Sequence, residues 1–281
     1  MTTTGSCSAA VAFMRVPFCF DIRRSLVALS MAPVSIDVNI DVHRFGAGFM
    51  EHVDVAVIGG QTGLAAAHSL LREGFTPVVL EASERAAGSW PRYCDSLTLF
   101  SPARYSSLPG LPFGGDPGRY PHRDMVAADL LRCADRLDAG IHTRQGGTSV
   151  RSRGEGFAVD LADGRQLGAR AVVTSTGGFG RPNRPALPGF DTFTGTVLHV
   201  AQHRTSHPFA RQRVAVVGAG NSAVQVAAEL ANVARVSLAY RGPVRWLPQK
   251  PLGRDLHFRL TVTGLDTAPF GRFQHRRPRW R

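Results

Sequence analysis

The chain has 281 residues, enough for one large domain or two ordinary ones, and carries a formal charge of +12. Five arginines lie in the last ten residues and the first fifty are nearly neutral, which leaves the middle only mildly basic; Lys250 is the sole lysine, and a nucleic-acid surface is not expected. Four scattered cysteines, Cys7, Cys19, Cys94 and Cys133, exclude a disulfide framework and a zinc knuckle, and no apolar run approaches the ~18 residues of a membrane span, so a soluble cytoplasmic protein without metal is expected.

Residues 1–49 carry no helical or strand period and no signal-peptide core, and read as a disordered leader or a mis-assigned start. Ordered sequence begins near Met50. An apolar strand over Val53–Ile58 leads through a turn into a helix from about Thr62 to Glu73, which stops at Gly74. The strand Pro77–Leu80 closes a βαβ-type unit. Within His122–Leu137, the residues Val126, Leu130, Cys133 and Leu137 recur at helical spacing, so that face packs inward. Thr148–Thr174 reads as three short strands, with turns at Gly154-Glu155-Gly156 and Asp163-Gly164. A second strand-turn-helix-strand spans Arg213–Ala239, and from Gln274 the sequence is aperiodic and basic. The chain therefore reads as α/β, with Rossmann-like dinucleotide-binding domains over 50–180 and 181–271 and a basic unstructured tail over 272–281.

Both units carry a glycine turn. A dinucleotide turn needs glycine for the bend, for close approach to pyrophosphate and for helix-on-strand contact, in the order G-x-G-x-x-G or A. Gly218, Gly220 and Ala223 keep that order after the strand Val214–Val217. The following strand ends at Tyr240-Arg241 without an acid, so Arg241 either meets a 2′-phosphate, favouring NADPH, or is a solvated charge. In the first unit Glu81 closes the second strand, where a carboxylate bonds the adenosine ribose. The turn itself, VIGGQTG, is one residue short: Gly59, Gly60 and Gly63 do not all fall in register, so either the loop has adapted or a glycine has been lost.

In this order the motifs resemble flavin-dependent monooxygenases with two dinucleotide-binding domains, the class of flavin-containing monooxygenases and Baeyer–Villiger enzymes. Glu81 with Ala87–Trp90 (AGSW) resembles the family's acid and its Gly-x-Trp segment along the flavin. Ser175–Pro185 resembles the A-T-G linker between domains, with Ser175 where Ala is usual. Phe193–His203 is similar to the fingerprint F-x-G-x-x-x-H-x-x-x-aromatic at Phe193, Gly195 and His199, and departs from it at His203. The likeness runs from Val53 to about Phe270.

The resemblance implies FAD at Gly59, Gly60, Gly63 and Glu81, with Trp90 beside it or serving as a core aromatic. It implies NADPH at Gly218, Gly220, Ala223 and Arg241. His199 would support the NADPH and the interdomain link, or be a satisfied structural histidine; Asn221 would touch nicotinamide-side phosphate or flavin, or cap its helix. NADPH would reduce FAD, and a C4a-hydroperoxyflavin would pass oxygen from O2 to a nitrogen, sulfur or ketone of a small-molecule substrate. Family members return after the NADPH domain to complete the flavin domain, whereas this chain stops, so the FAD domain reads as incomplete. A truncated non-catalytic nucleotide-binding remnant and an NADPH-only oxidoreductase are the alternatives. A disulfide reductase would need a paired redox cysteine, which the sequence lacks.

Overall fold

The computed structural model describes residues 11–13, 52–178, 180, 182, 184, 189–240 and 247–265. Within the segment read as a leader, β1 (Val11–Phe13) is a short strand. The main sheet is built on β2 (His52–Ile58), whose last four residues are all buried, as befits an interior strand covered on both faces. α1 (Gln61–Arg72) crosses from β2 to β3 (Pro77–Leu80), which lies parallel to it. α2 (Arg123–Arg136) then leads to β4 (Gly140–His142), parallel to β3. The three expected short strands follow as β5 (Gly147–Arg153), β6 (Gly156–Leu161) and β7 (Gln166–Thr174), an antiparallel meander.

β7 returns beside β2 in parallel, giving the order β4-β3-β2-β7-β6-β5. β7 outruns β6, whose pairing stops at Ala169. β1 pairs in parallel with Val172–Thr174, so the main-chain groups left open at that end are paired rather than exposed. Alternation along β2 divides the core: Ala56 and Ile58 pack with Val159, Leu167 and Val172, whereas Val55 and Val57 pack with Leu70 of α1 and Val79. A third cluster holds Leu64, Trp90, Phe113 and Leu130.

The second unit is smaller: β8 (Arg213–Val217), α3 (Asn221–Leu230) and β9 (Arg235–Ala239), with β8 and β9 parallel and in register. Both strands alternate in exposure, so Arg213, Ala215, Val217, Arg235, Ser237 and Ala239 show on one open face. A last helix, α4 (Leu256–Val262), follows. No helix among the described residues is long and apolar enough to cross a membrane.

Candidate functional site

The structure places all three glycines of the first turn, so that of the two readings of the short spacing it is the loop that has adapted. Gly59 stands at φ +120° and Gly218 at φ +133°, so each opens its turn in a conformation that L side chains rarely adopt. Gly59 N–H donates to Leu80 O at 3.0 Å, and Gly218 N–H donates to Ala239 O at 2.8 Å, the same bond to the neighbouring strand. Gly60 and Gly220 are the N-caps of α1 and α3, and each carbonyl accepts the first helical bond, from Leu64 at 2.9 Å and Val224 at 3.1 Å. Gly63 and Ala223 then occupy the same position on their helices, and a side chain on Gly63 would press to 3.2 Å from Val57 Cγ1.

The missing residue is absorbed at Gly60, whose ψ is −110° where Gly220 has 170°. The helix side of the turn keeps its register, and one peptide rotates. Neither helix has a side-chain cap or an acid in its first turn. Both N-termini therefore present uncompensated N–H groups and positive dipole ends, the chemistry that holds a pyrophosphate.

The first turn is walled closely. A side chain on Gly59 would come within 2.2 Å of Ser175 O, and one on Gly60 within 2.6 Å of Gly88 Cα and 3.1 Å of Glu81 Oε2. Glu81, 4% exposed, accepts at Oε1 from Ser83 N at 2.8 Å and Ser83 Oγ at 2.7 Å. Its Oε2 is buried without a partner, as is Ser175 Oγ. A buried carboxylate oxygen left unpaired is costly, and here it faces the glycine turn. An unmatched acceptor there suits a ribose hydroxyl, and a hydroxyl at Ser175 with open helix N–H groups suits a phosphate. The donor set fits a dinucleotide.

Trp90 is both a core aromatic and a wall of the site. It is 3% exposed, meets Tyr93 edge-on at 5.2 Å, and donates from Nε1 to Gln61 Oε1 at 3.0 Å, which ties the AGSW segment to the first residue of α1. Trp90→Phe keeps most of the packing and loses this bond, so a loss of about 1 kcal/mol is expected, or roughly 2–4 °C in a thermal melt.

Asn221 is the first residue of α3 rather than its cap, because Gly220 holds the cap position. Asn221 lines an apolar cleft together with Trp90, Leu97, Phe100, Val200 and Val226. Residues of both units thus meet in one cleft. His199 caps the short turn Val200–Gln202: its Nδ1 accepts from Ala201 N at 3.1 Å, while its own N–H donates to Gln202 Oε1 at 3.0 Å. Burial, and then the charge of Arg184, hold its imidazole below the ordinary range. Its ring is engaged in capping this turn. Arg241 lies outside the described residues.

The sequence reading missed the clasp across the cleft. Glu229 of α3 accepts from Ser96 Oγ at 2.6 Å and lies 3.2 Å from His203 Nε2, with His203 5% exposed. Arg204 adds bonds to the 91–95 segment, through Pro91 O at 3.0 Å and its own carbonyl to Asp95 N at 2.8 Å. The signal was present at His203, the one position where the fingerprint is broken.

Comparison with known proteins bears on this geometry. The family model described as pyridine nucleotide-disulphide oxidoreductase matches residues 56–251. An indole-3-pyruvate monooxygenase of Oryza sativa, YUCCA1, is 33% identical over 80% of this chain and 61% of its own length. A CzcO-like oxidoreductase of Geobacillus kaustophilus is 34% identical over 77% of this chain and 62% of its own. Among solved structures, a flavin-containing monooxygenase from Stenotrophomonas maltophilia superposes with a TM-score of 0.69 at 35% identity, covering 76% of this chain and 68% of that one. The chain spans about three fifths of the curated relatives it matches, at 61% and 62%.

Proposed function

We propose, from the premise that this chain belongs to the pyridine nucleotide-disulphide oxidoreductase family and to its flavin monooxygenase relatives, that it binds FAD at the first glycine turn and NADPH at the second and oxygenates a small molecule with O2. The carrying observation is Glu81 Oε2, buried, unpartnered and aimed at the turn. Glu81 would accept a hydrogen bond from the adenosine ribose. The N-terminus of α1, with the Ser175 hydroxyl, would hold the flavin-side pyrophosphate, and the N-terminus of α3 that of NADPH, with Gly218, Gly220 and Ala223 permitting close approach. Arg241 would meet the 2′-phosphate. FAD held there would supply the redox chemistry of hydride acceptance and oxygen transfer. The chain's own work is to orient both nucleotides towards the cleft and to exclude water there, with Trp90, Leu97, Phe100 and Val226 as apolar walls.

The disulfide branch of the family lacks its chemical requirement here, since Cys94 and Cys133 are both free thiols and no C-x-x-C pair stands in the sequence. A nucleotide-binding protein without turnover is the second reading, favoured by the bare face of the β8–β9 sheet. A visible spectrum separates the two. Protein supplied with FAD is expected to retain a flavin band through gel filtration, to bleach with NADPH under nitrogen, and to recover in air. Retention without bleaching would leave the second reading, and failure to retain FAD would remove the first.

A further inference from the structure

Beside Glu81 a second buried acceptor stands without a partner, on a residue that neither the glycine turns nor the cleft account for. The loop joining β4 to β5 is drawn onto the end of β3 by its main chain. Arg144 N–H donates to Ser83 O at 2.8 Å, and Gln145 N–H donates to Glu81 O at 2.9 Å. The two glycines that follow permit this approach. A side chain on Gly146 would press to 3.2 Å from Ala82 Cβ, and one on Gly147 to 2.9 Å from the Cδ1 of Ile58, the last residue before the first turn. Gln145 therefore sits at the carboxyl ends of β2, β3 and β4, the end of the sheet at which that turn lies.

The Gln145 side chain is oriented by a charge. Asp163, in the turn between β6 and β7, accepts the Arg165 backbone N–H at 3.0 Å, Arg165 Nε at 2.7 Å and Gln145 Nε2 at 2.8 Å. These donors pull its carboxyl down to about 2, so it is ionised at neutral pH and only accepts. The end of the Gln145 amide that meets it must then be the NH2 group, which leaves the carbonyl as the other end. That oxygen, Oε1, is buried with no hydrogen-bond partner among the described residues, as is Glu81 Oε2. Two orphaned acceptors on residues joined by a main-chain bond call for donors from outside the chain.

We propose that Gln145 reads the base of the dinucleotide at the first turn, its Oε1 accepting from the exocyclic amine of adenine, an assignment that rests on the FAD reading above. Glu81 takes the ribose hydroxyl, and the base, one glycosidic bond further, comes within reach of the residue bonded to Glu81. Adenine presents a donor where guanine and hypoxanthine carry a carbonyl. Against Oε1 that carbonyl would set two acceptors together and leave both unpaired, so such a base is rejected. A glutamine that only tied the loop to Asp163 would use Nε2 and could leave its carbonyl in water.

The test compares FAD with flavin hypoxanthine dinucleotide, in which the amine of the base is replaced by a carbonyl, by flavin fluorescence titration of the full chain. Wild type is expected to hold FAD about ten- to a hundredfold more tightly. Gln145→Leu, which keeps the bulk of the side chain, is expected to weaken FAD about tenfold and the hypoxanthine analogue less than about twofold, so that the preference collapses. A wild type indifferent to the base, or a variant that retains the preference, overturns the assignment. So does a variant that weakens both ligands alike, since Gln145 would then hold the loop and not the base. If neither flavin dinucleotide is taken up, the FAD reading fails, and calorimetry with ADP and inosine diphosphate decides Gln145 separately. A preference for ADP that Gln145→Leu removes sustains it, and the lack of one overturns it.

Discussion

Gly59→Ala is expected to cost the protein about 2–6 kcal/mol, enough to leave little folded material, because two independent penalties meet at one atom. At φ +120° an L residue is strained, and the added methyl would lie 2.2 Å from Ser175 O, a main-chain atom of the segment that follows β7. Ser175 N–H donates to Ile58 O at 2.6 Å, so that carbonyl cannot retreat without breaking the β2–β7 junction. Gly218→Ala is the control. Its φ of +133° carries the same strain, yet its methyl would meet only Ala223 Cβ at 3.5 Å, an ordinary contact. A loss of about 1–3 kcal/mol is expected there. Urea midpoints followed by circular dichroism measure both variants, and equal losses would show that the wall at Ser175 contributes nothing.

Glu81→Gln is expected to move stability and affinity in opposite directions. The amide can keep the two Ser83 bonds with its oxygen, and it removes the charge from a side chain whose other oxygen is sealed without a partner. The protein without nucleotide should melt at the same temperature or slightly higher. The atom replacing Oε2 is now a donor, where the ribose hydroxyl requires an acceptor, so FAD affinity should fall about ten- to a hundredfold, the worth of a hydrogen bond to a charged group. Titration of flavin fluorescence against each variant measures this. An unchanged Kd would remove Glu81 from the site, and a collapse of the melt would make it a structural residue.

Much of the first unit could be read from pattern because its signals are local. The apolar run before the turn, the helix stopping at Gly74 and the strand Pro77–Leu80 appear within a residue or two of expectation. The meander of β5, β6 and β7 was announced by its glycine turns. β4, three residues long, and α4, seven, are too short to show a period, and neither was anticipated. The first turn left two readings open for a different reason: spacing counts residues and does not tell a lost glycine from a loop that takes up the difference by rotating the peptide after Gly60. The contacts of Glu229 with Ser96 and of Asp255 with Tyr120 join residues 133 and 135 apart in sequence, where no local rule reaches.

The bare side of the β8–β9 layer carries a thermodynamic consequence. Two strands backed by one helix resist opening with far fewer apolar neighbours than the seven-stranded layer beside them. Breathing should therefore concentrate in the β8–β9 unit, so that whatever docks there acts partly as a covering layer, and saturation at a hundred times Kd would lend that unit about 2.7 kcal/mol it does not hold alone.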